Sequence, residues 1–346
     1  MWLRMCSGCC VVGALGASDP LPNTPDPDPV AGIYGNTGLW KVFTAETLRT
    51  GQASFSTWYD RIHRDPGHLT ISTFGFGAAV GITDRLEAGV NFEANRHARV
   101  GQPEQLSLGQ QALGFFGNRT SGSPPLPSEL LPDSSRVPQL RFPPIPAGAL
   151  TGAAGYYNLL PFAGLVRAGG ATGLVSLGAK YNIVSEDTGG PLGLAVHSYL
   201  GVPIHKGIDF LLMHPVGTGD LQFGFDGIVS KNIGETAQLD WNAGYRHINQ
   251  PAHVSVFRLA EEVPLGFGLT IPRTSRVVFM LESTAEVFLG NHTPNTSFGP
   301  EDPVDITAGV RARLTRSFSF SAGYRRPLNQ FGGDRNGFVL SVTYNK

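Results

Sequence analysis

The stretch FGFGAAVGITDRLEAGVNFEAN, Phe74 to Asn95, decides how the chain is read. In its first arm Phe74, Phe76, Ala78, Val80 and Ile82 alternate with Gly75, Gly77, Ala79 and Gly81. In its second, Leu86, Ala88, Val90, Phe92 and Ala94 alternate with Glu87, Gly89, Asn91, Glu93 and Asn95, and Thr83-Asp84-Arg85 joins the two. A period of two is the side-chain period of a β-strand, so the stretch is a hairpin with one apolar face. Its other face is glycine, amide and carboxylate, which cannot form a hydrophobic core. The apolar face must therefore be covered by something outside the hairpin, either a second sheet or lipid.

Ten further segments alternate in the same way: Ala53 to Asp60, Val175 to Ile183, Leu194 to Gly201, Leu221 to Asp226 and Leu239 to Arg246, then Glu262 to Leu269, Phe279 to Val287, Ile306 to Arg313, Phe318 to Arg325 and Phe338 to Tyr344. With the two hairpin arms this predicts twelve strands from Gln52 onward, and no amphipathic helix. A β-sandwich would give each strand a solvent face rich in Lys and Glu. Here the polar faces are Gly, Ser and Asn with scattered charge, and the apolar faces often end in an aromatic residue: Tyr59, Tyr181, Trp241, Tyr245, Tyr324 and Tyr344. Aromatic residues at strand ends with a polar interior describe a membrane barrel, and closure removes the sticky edge strands. The predicted fold is all-β, a single closed antiparallel transmembrane β-barrel of about 12 strands.

Composition agrees. Charged residues make up 15% of the chain, against roughly 25% in average soluble proteins. The net charge of −1 carries no basic surplus for a nucleic-acid partner. Mean hydropathy is −0.04, and no apolar run approaches the ~20 residues of a membrane helix. Alternating strands average their hydropathy to about zero, so both values suit a barrel. Connection lengths orient it. The joins at 83–85, 185–190, 234–235, 272–274 and 315–316 are short, whereas 99–170, 205–218 and 290–303, on the opposite side, are long. Two other joins on that side, 64–67 and 249–253, are short. Short periplasmic turns and long outer loops are the usual arrangement.

The chain divides into three. Residues 1–18 read as a signal peptide, with one positive charge, a short apolar run and small residues before Asp19. All three cysteines (Cys6, Cys9, Cys10) fall there, which removes disulfides, thiolate catalysis and Cys-ligated zinc from the mature chain. Residues 19–51 read as a periplasmic linker, Pro- and Asp-rich at first. Within it Trp40 to Leu48, half a strand or a helical turn, is placed against or inside the barrel opening as a short plug segment. Residues 52–346 are the barrel, with a long extracellular loop at 99–170.

The sequence resembles the porin-like outer-membrane β-barrel families of Gram-negative bacteria. Three segments carry the likeness: Gly38-Leu39 with Thr44-Ala45-Glu46-Thr47-Leu48, the Gly81-Ile82-Thr83-Asp84-Arg85-Leu86 turn, and the C-terminal strand Gly337 to Tyr344, which looks like the signal read by the barrel-insertion machinery. That signal usually ends in an aromatic residue, whereas here Asn345-Lys346 follow. The resemblance implies residence in the bacterial outer membrane, lipid and lipopolysaccharide as surroundings, and small solutes as cargo.

Alternation places Asp60, Glu87, Glu93, Lys180, Asp226, Asp240, Arg246, Glu282, Glu286, Asp305, Arg311, Arg313 and Arg325 toward the lumen. Two readings are open. The groups create a transverse field that screens solutes diffusing passively through a mixed-charge pore, or they pair across a narrow lumen and fill it. The second reading leaves a closed structural or adhesive barrel acting through loop 99–170. No catalytic, cofactor-binding or metal set is assigned. His197 and Ser198 are adjacent and so point to opposite faces, His63, His68 and His97 read as solvated rim residues, and Gly75-x-Gly77 lacks the helix a nucleotide loop needs. The apolar run Phe210 to Met213 is expected to fold over the mouth, the alternative being contact with lipid or a partner, and the Asn-x-Ser/Thr sites at Asn118, Asn291 and Asn295 carry no weight in a bacterial host. On the hairpin, Val90→Arg is expected to block insertion and Asn91→Arg to be tolerated.

Overall fold

The computed structural model describes residues 29–64, 69–100, 168–205, 220–249, 261–289, 302–328 and 336–346. The strands are β1 (Ala53–Arg64), β2 (Leu69–Thr83), β3 (Leu86–Val100), β4 (Ala168–Ala171), β5 (Leu174–Val184), β6 (Gly193–Pro203), β7 (Gln222–Ile233), β8 (Ala237–Ile248), β9 (Glu261–Ile271), β10 (Val277–Leu289), β11 (Val304–Arg313), β12 (Phe318–Pro327) and β13 (Gly337–Asn345). Each long strand pairs antiparallel with its neighbours in sequence, β3 with β5 included, and β1 pairs with β13. The ring therefore closes as a 12-strand barrel. The short β4 pairs with the far end of β3, at Arg96 to Arg99, and lies just ahead of β5.

The barrel is inside-out relative to a soluble protein. Along β1 exposure alternates, with Phe55 51% exposed while Ser54, Ser56 and Asp60 are buried. Phe76, Phe225 and Phe279 likewise point outward at 46%, 57% and 57% exposure. Large apolar side chains on a closed surface require an apolar solvent, and closure leaves no free strand edge in the ring to meet it.

The opening hairpin forms as β2 and β3, with two departures: the register shifts beside the turn, between Gly81 and Thr83, and again between Phe74 and Gly75. A bulge sets Gly75 opposite Glu93 and Phe74 opposite Asn95, so that Ala94 is the extra residue. Strict alternation put Asn95 on the inner face with Glu93. The bulge turns Asn95 outward and brings Arg96 in, where it is buried. Asn91 is also buried and accepts a hydrogen bond from Trp58 Nε1 at 3.1 Å. An arginine there would overpack the interior, so the tolerance expected for Asn91→Arg does not follow.

Residues 29–51 belong to no strand. Their backbone is knotted by isolated bridges between Ala31 and Thr37 and between Gly38 and Phe43, and they lie inside the ring. The apolar core of the molecule is the contact between this segment and the inner wall. Ile33, Leu39 and Trp40 pack with Trp58, Val278, Met280 and Val339, and Phe43 and Ala45 pack with Ala195 and Ile228. Burying each large side chain of this kind contributes ~1.5–3 kcal/mol. Residues 1–28, His68, and almost all of the long joins at 99–170, 205–218 and 290–303 lie outside the described residues, as do Phe210 to Met213 and the three Asn-x-Ser/Thr sites.

Candidate functional site: the occupied barrel interior

Chain entering a barrel leaves its own N–H and C=O groups without strand partners, and each needs one. The inner wall supplies them. Glu282 Oε1 accepts from three successive backbone N–H groups, Trp40, Lys41 and Val42, each at 2.8 Å. Such a run of amides forms a nest that suits an anion. Glu87 accepts from the backbone N–H groups of Thr37 at 2.9 Å and Leu48 at 3.0 Å, and from Asn36 Nδ2 at 2.9 Å. Beside it Lys180 Nζ donates to the carbonyls of Thr37, Thr44 and Glu46 at 3.0, 2.9 and 2.7 Å, and contacts the Thr37 hydroxyl. Its nitrogen lies 3.8 Å from Glu87 Oε1, and both side chains have no solvent exposure.

The remaining clamps use amides, a hydroxyl and two further charged groups, Arg311 and Asp60. Asn242 accepts from Phe43 N at 2.6 Å and donates to Phe43 O at 2.9 Å. Ala45 is held through Ser230 Oγ at 2.8 Å and Asn182 Nδ2 at 2.8 Å, and Ser230 in turn donates to Asp240 at 2.5 Å. Arg311 donates to the carbonyls of Gly38 and Leu39 at 3.2 and 3.0 Å. Asp60 takes Lys41 at 3.4 Å and Arg325 at 2.6 Å.

Wall glycines make the fit possible. A Cβ at Gly89 or at Gly178 would stand 2.5 Å from Asn36 Oδ1, and one at Gly323 would stand 2.7 Å from the Trp40 ring. On the segment itself Gly35 has φ +92° and packs against the Val90 backbone, a conformation and an approach closed to other residues.

Toward the long-loop end the charges pair with one another instead. Arg64 binds Asp305 at 2.8 and 2.5 Å, and Arg96 pairs with Glu93, which also accepts from Leu174 N at 3.2 Å. Arg246 lies 3.0 Å from Glu262 and 4.0 Å from Glu286. His197 Nδ1 sits 2.9 Å from Asp226, with the Phe43 ring 4.3 Å from its own. Ser198 faces the other way, as adjacency requires. These groups surround a cavity of about 170 Å³ floored by Tyr34, Val42 and Phe43 of the segment. A second cavity of about 470 Å³ opens on the turn side, beneath Leu39, Thr44 and Glu46. Residues of the 29–51 segment line both cavities.

On the turn-side rim Arg313 donates to Ser275 O at 2.8 Å. Thr50 binds Asp84 through its N–H at 3.0 Å and its hydroxyl at 2.7 Å, which holds the Asp84 carboxyl below its ordinary value. Burial, with Asp187 close by, raises that of Glu46, although Ser185 donates to it at 3.2 Å.

Alternation in the sequence does not single out Arg64, Arg96 or Asn242 as site residues. Arg64 and Arg96 lie beyond the strand ends read from alternation, and a bulge hides Arg96. Asn242 was on the polar face of its strand, but only docking against Phe43 distinguishes it from other amides.

A closed barrel with an apolar exterior and a polar, chain-filled interior is a transmembrane β-barrel of the outer-membrane type. No protein-family model matches this chain, and no curated protein matches it. Among solved structures, the COG4313 outer membrane channel from Pseudomonas putida F1 superposes with a TM-score of 0.52 at 11% identity, covering 87% of this chain and 97% of that one. The NanC porin gives 0.43 at 7% identity, with 84% and 98% covered. The translocator domain of the autotransporter NalP from Neisseria meningitidis gives 0.39 at 12%, with 85% and 88% covered. The first of these likenesses shows a shared fold. That fold and the lipid-facing surface place the chain in the bacterial outer membrane.

Proposed function

We propose that the protein is an outer-membrane channel for small solutes, not an enzyme, whose pathway is closed by its own N-terminal segment. One observation carries the reading: residues 29–51 stand between the loop-side and turn-side cavities, held by wall side chains that bind their backbone. A wall built only for stability has no need to bind a loose segment through ionised groups, because an apolar filling is at least as stable. Polar clamps are costly to bury and directional, so they hold one docked arrangement and release it as a unit. Solutes would pass when the segment shifts, meeting the paired charges of the loop-side cavity on the way.

Planar-bilayer recordings test this. The intact chain should show small or infrequent conductance steps, and a chain lacking residues 29–51 should show large, steady ones. If the shortened barrel folds, judged by heat-modifiable gel migration, and still conducts nothing over a wide salt range, the channel reading fails. The barrel would then be a closed surface protein, a reading favoured by the small volume of the loop-side cavity.

A further inference from the structure

The outward face of β1, β2 and β3 carries a feature that neither lipid tails nor the channel reading explains. Register sets Arg61 opposite Ser72 and Ser72 opposite His97 in one transverse row. The next row toward the loops is His63, Thr70 and Arg99. Both rows lie on the lipid side, in phase with Phe55, Phe74 and Phe76, which are 51%, 40% and 46% exposed. His97 and Arg99 are exposed, and His63 Nδ1 lies 3.2 Å from Thr70 Oγ1. Arg61 is half-buried, and its buried Nε has no hydrogen-bond partner among the described residues. No carboxylate faces outward in the described parts of these three strands.

Depth gives the rows their meaning. Directly beneath them, toward the middle of the barrel, lies the row Tyr59, Phe74 and Asn95. Tyr59 packs on Phe338 with centroids 5.3 Å apart, and Phe74 packs on Phe76 at 5.1 Å. Aromatic side chains at strand ends mark the boundary between hydrocarbon and headgroups. The cationic rows lie just beyond that boundary, at headgroup level on the long-loop side. Rows two residues apart are separated by about 7 Å, and strands by about 4.8 Å. Two guanidiniums and two imidazoles are therefore set within reach of one lipid headgroup. On the far side of the barrel an outward histidine has a carboxylate beside it, His247 Nδ1 lying 3.3 Å from Glu261.

We propose that the outward rows Arg61–Ser72–His97 and His63–Thr70–Arg99 form a binding site for the phosphate groups of the outer-leaflet glycolipid, lipopolysaccharide. Guanidinium groups grip phosphate through paired hydrogen bonds, and the serine and threonine hydroxyls complete its donor set. The proposal rests on the outer-membrane placement but not on conduction.

The test uses the full-length barrel in detergent, with fluorescently labelled lipopolysaccharide as the probe and its enzymatically dephosphorylated form as the comparison. The double variant Arg61→Gln/Arg99→Gln should bind the phosphorylated probe about 100-fold more weakly, roughly tenfold for each guanidinium lost. Both proteins should bind the dephosphorylated form equally and weakly, and Arg276→Gln, on a turn at the opposite end, should behave as wild type. Wild-type-like binding by the double variant would overturn the proposal, as would equal binding of the two probes. If phosphatidylglycerol vesicles compete as well as lipopolysaccharide, the face reads anionic charge alone and the glycolipid assignment fails. Should the double variant fold poorly by heat-modifiable migration, His63→Gln/His97→Gln serves instead, with a loss of about tenfold expected and an unchanged affinity decisive against the site.

Discussion

The two halves of the barrel interior use the same residue types for different work. Near the turns, Glu87, Lys180, Glu282 and Arg311 spend their hydrogen bonds on the backbone of residues 29–51. Near the loops, Arg64, Arg96 and Arg246 spend theirs on Asp305, Glu93 and Glu262 of the wall itself. One set holds a separate piece of chain in place, and the other neutralises itself around an open space. Charge inside a barrel is thus not one kind of feature. Whether it docks a segment or borders a cavity depends on what it faces.

The difference predicts which substitutions free the segment. Lys180→Met should have the largest effect, because it leaves Glu87 buried without its cation and three carbonyls without a donor. A cost of about 3–5 kcal/mol is expected, read as rapid protease cleavage within residues 29–51 and larger bilayer conductance. Gly89→Val follows, since its Cβ would meet Asn36 Oδ1 at 2.5 Å. Overpacking of this kind costs about 1–3 kcal/mol, and the same two measurements should move the same way by less.

Two rim carboxyls should act with opposite signs. Asp84 has its value depressed by Thr50. Its contribution to docking is therefore present above the ordinary aspartate value and fades as pH falls through the depressed one. Asp84→Asn should weaken protease protection slightly at neutral pH and lose that effect in strong acid. Glu46 has its value raised by burial. Its contribution is complete below the ordinary glutamate value and is lost as pH rises through the raised one. Glu46→Gln should accordingly strengthen protection at neutral pH and make no difference in acid. A shared direction for the two variants would contradict the docking geometry.

Arg64→Gln should have no effect on segment protection. It should instead remove the cation hydrogen-bonded to Asp305 in the loop-side cavity and shift the reversal potential of the opened channel toward cations. Release of the segment by this variant would erase the distinction between the halves.

Much of this was legible in advance, and for a definite reason. Alternation is local, so twelve strands, their outer faces and the inward direction of Asp60, Glu87, Lys180 and Glu282 can be read from neighbours two residues apart. Pairing also followed, because consecutive strands joined by tight turns lie side by side. The bulge at Phe74 and Gly75 was not legible. It depends on how two strands accommodate each other, and it reversed Asn95 and Arg96. The partners of the inner charges were not legible either. Glu282 and Trp40 are 242 residues apart, and no pattern in sequence links a carboxylate to three backbone amides at that separation.

The glycines show the boundary most clearly. Gly89, Gly178 and Gly323 read in sequence as a smooth polar face, suitable for a water-filled wall. In the folded barrel they are the spaces into which Asn36 and Trp40 fit. The chain's own periodicity determined a membrane barrel with an inward polar surface, because side-chain direction in a strand is set by the backbone alone. What fills that surface was decided only in three dimensions, because a missing side chain records that room exists and not what will occupy it.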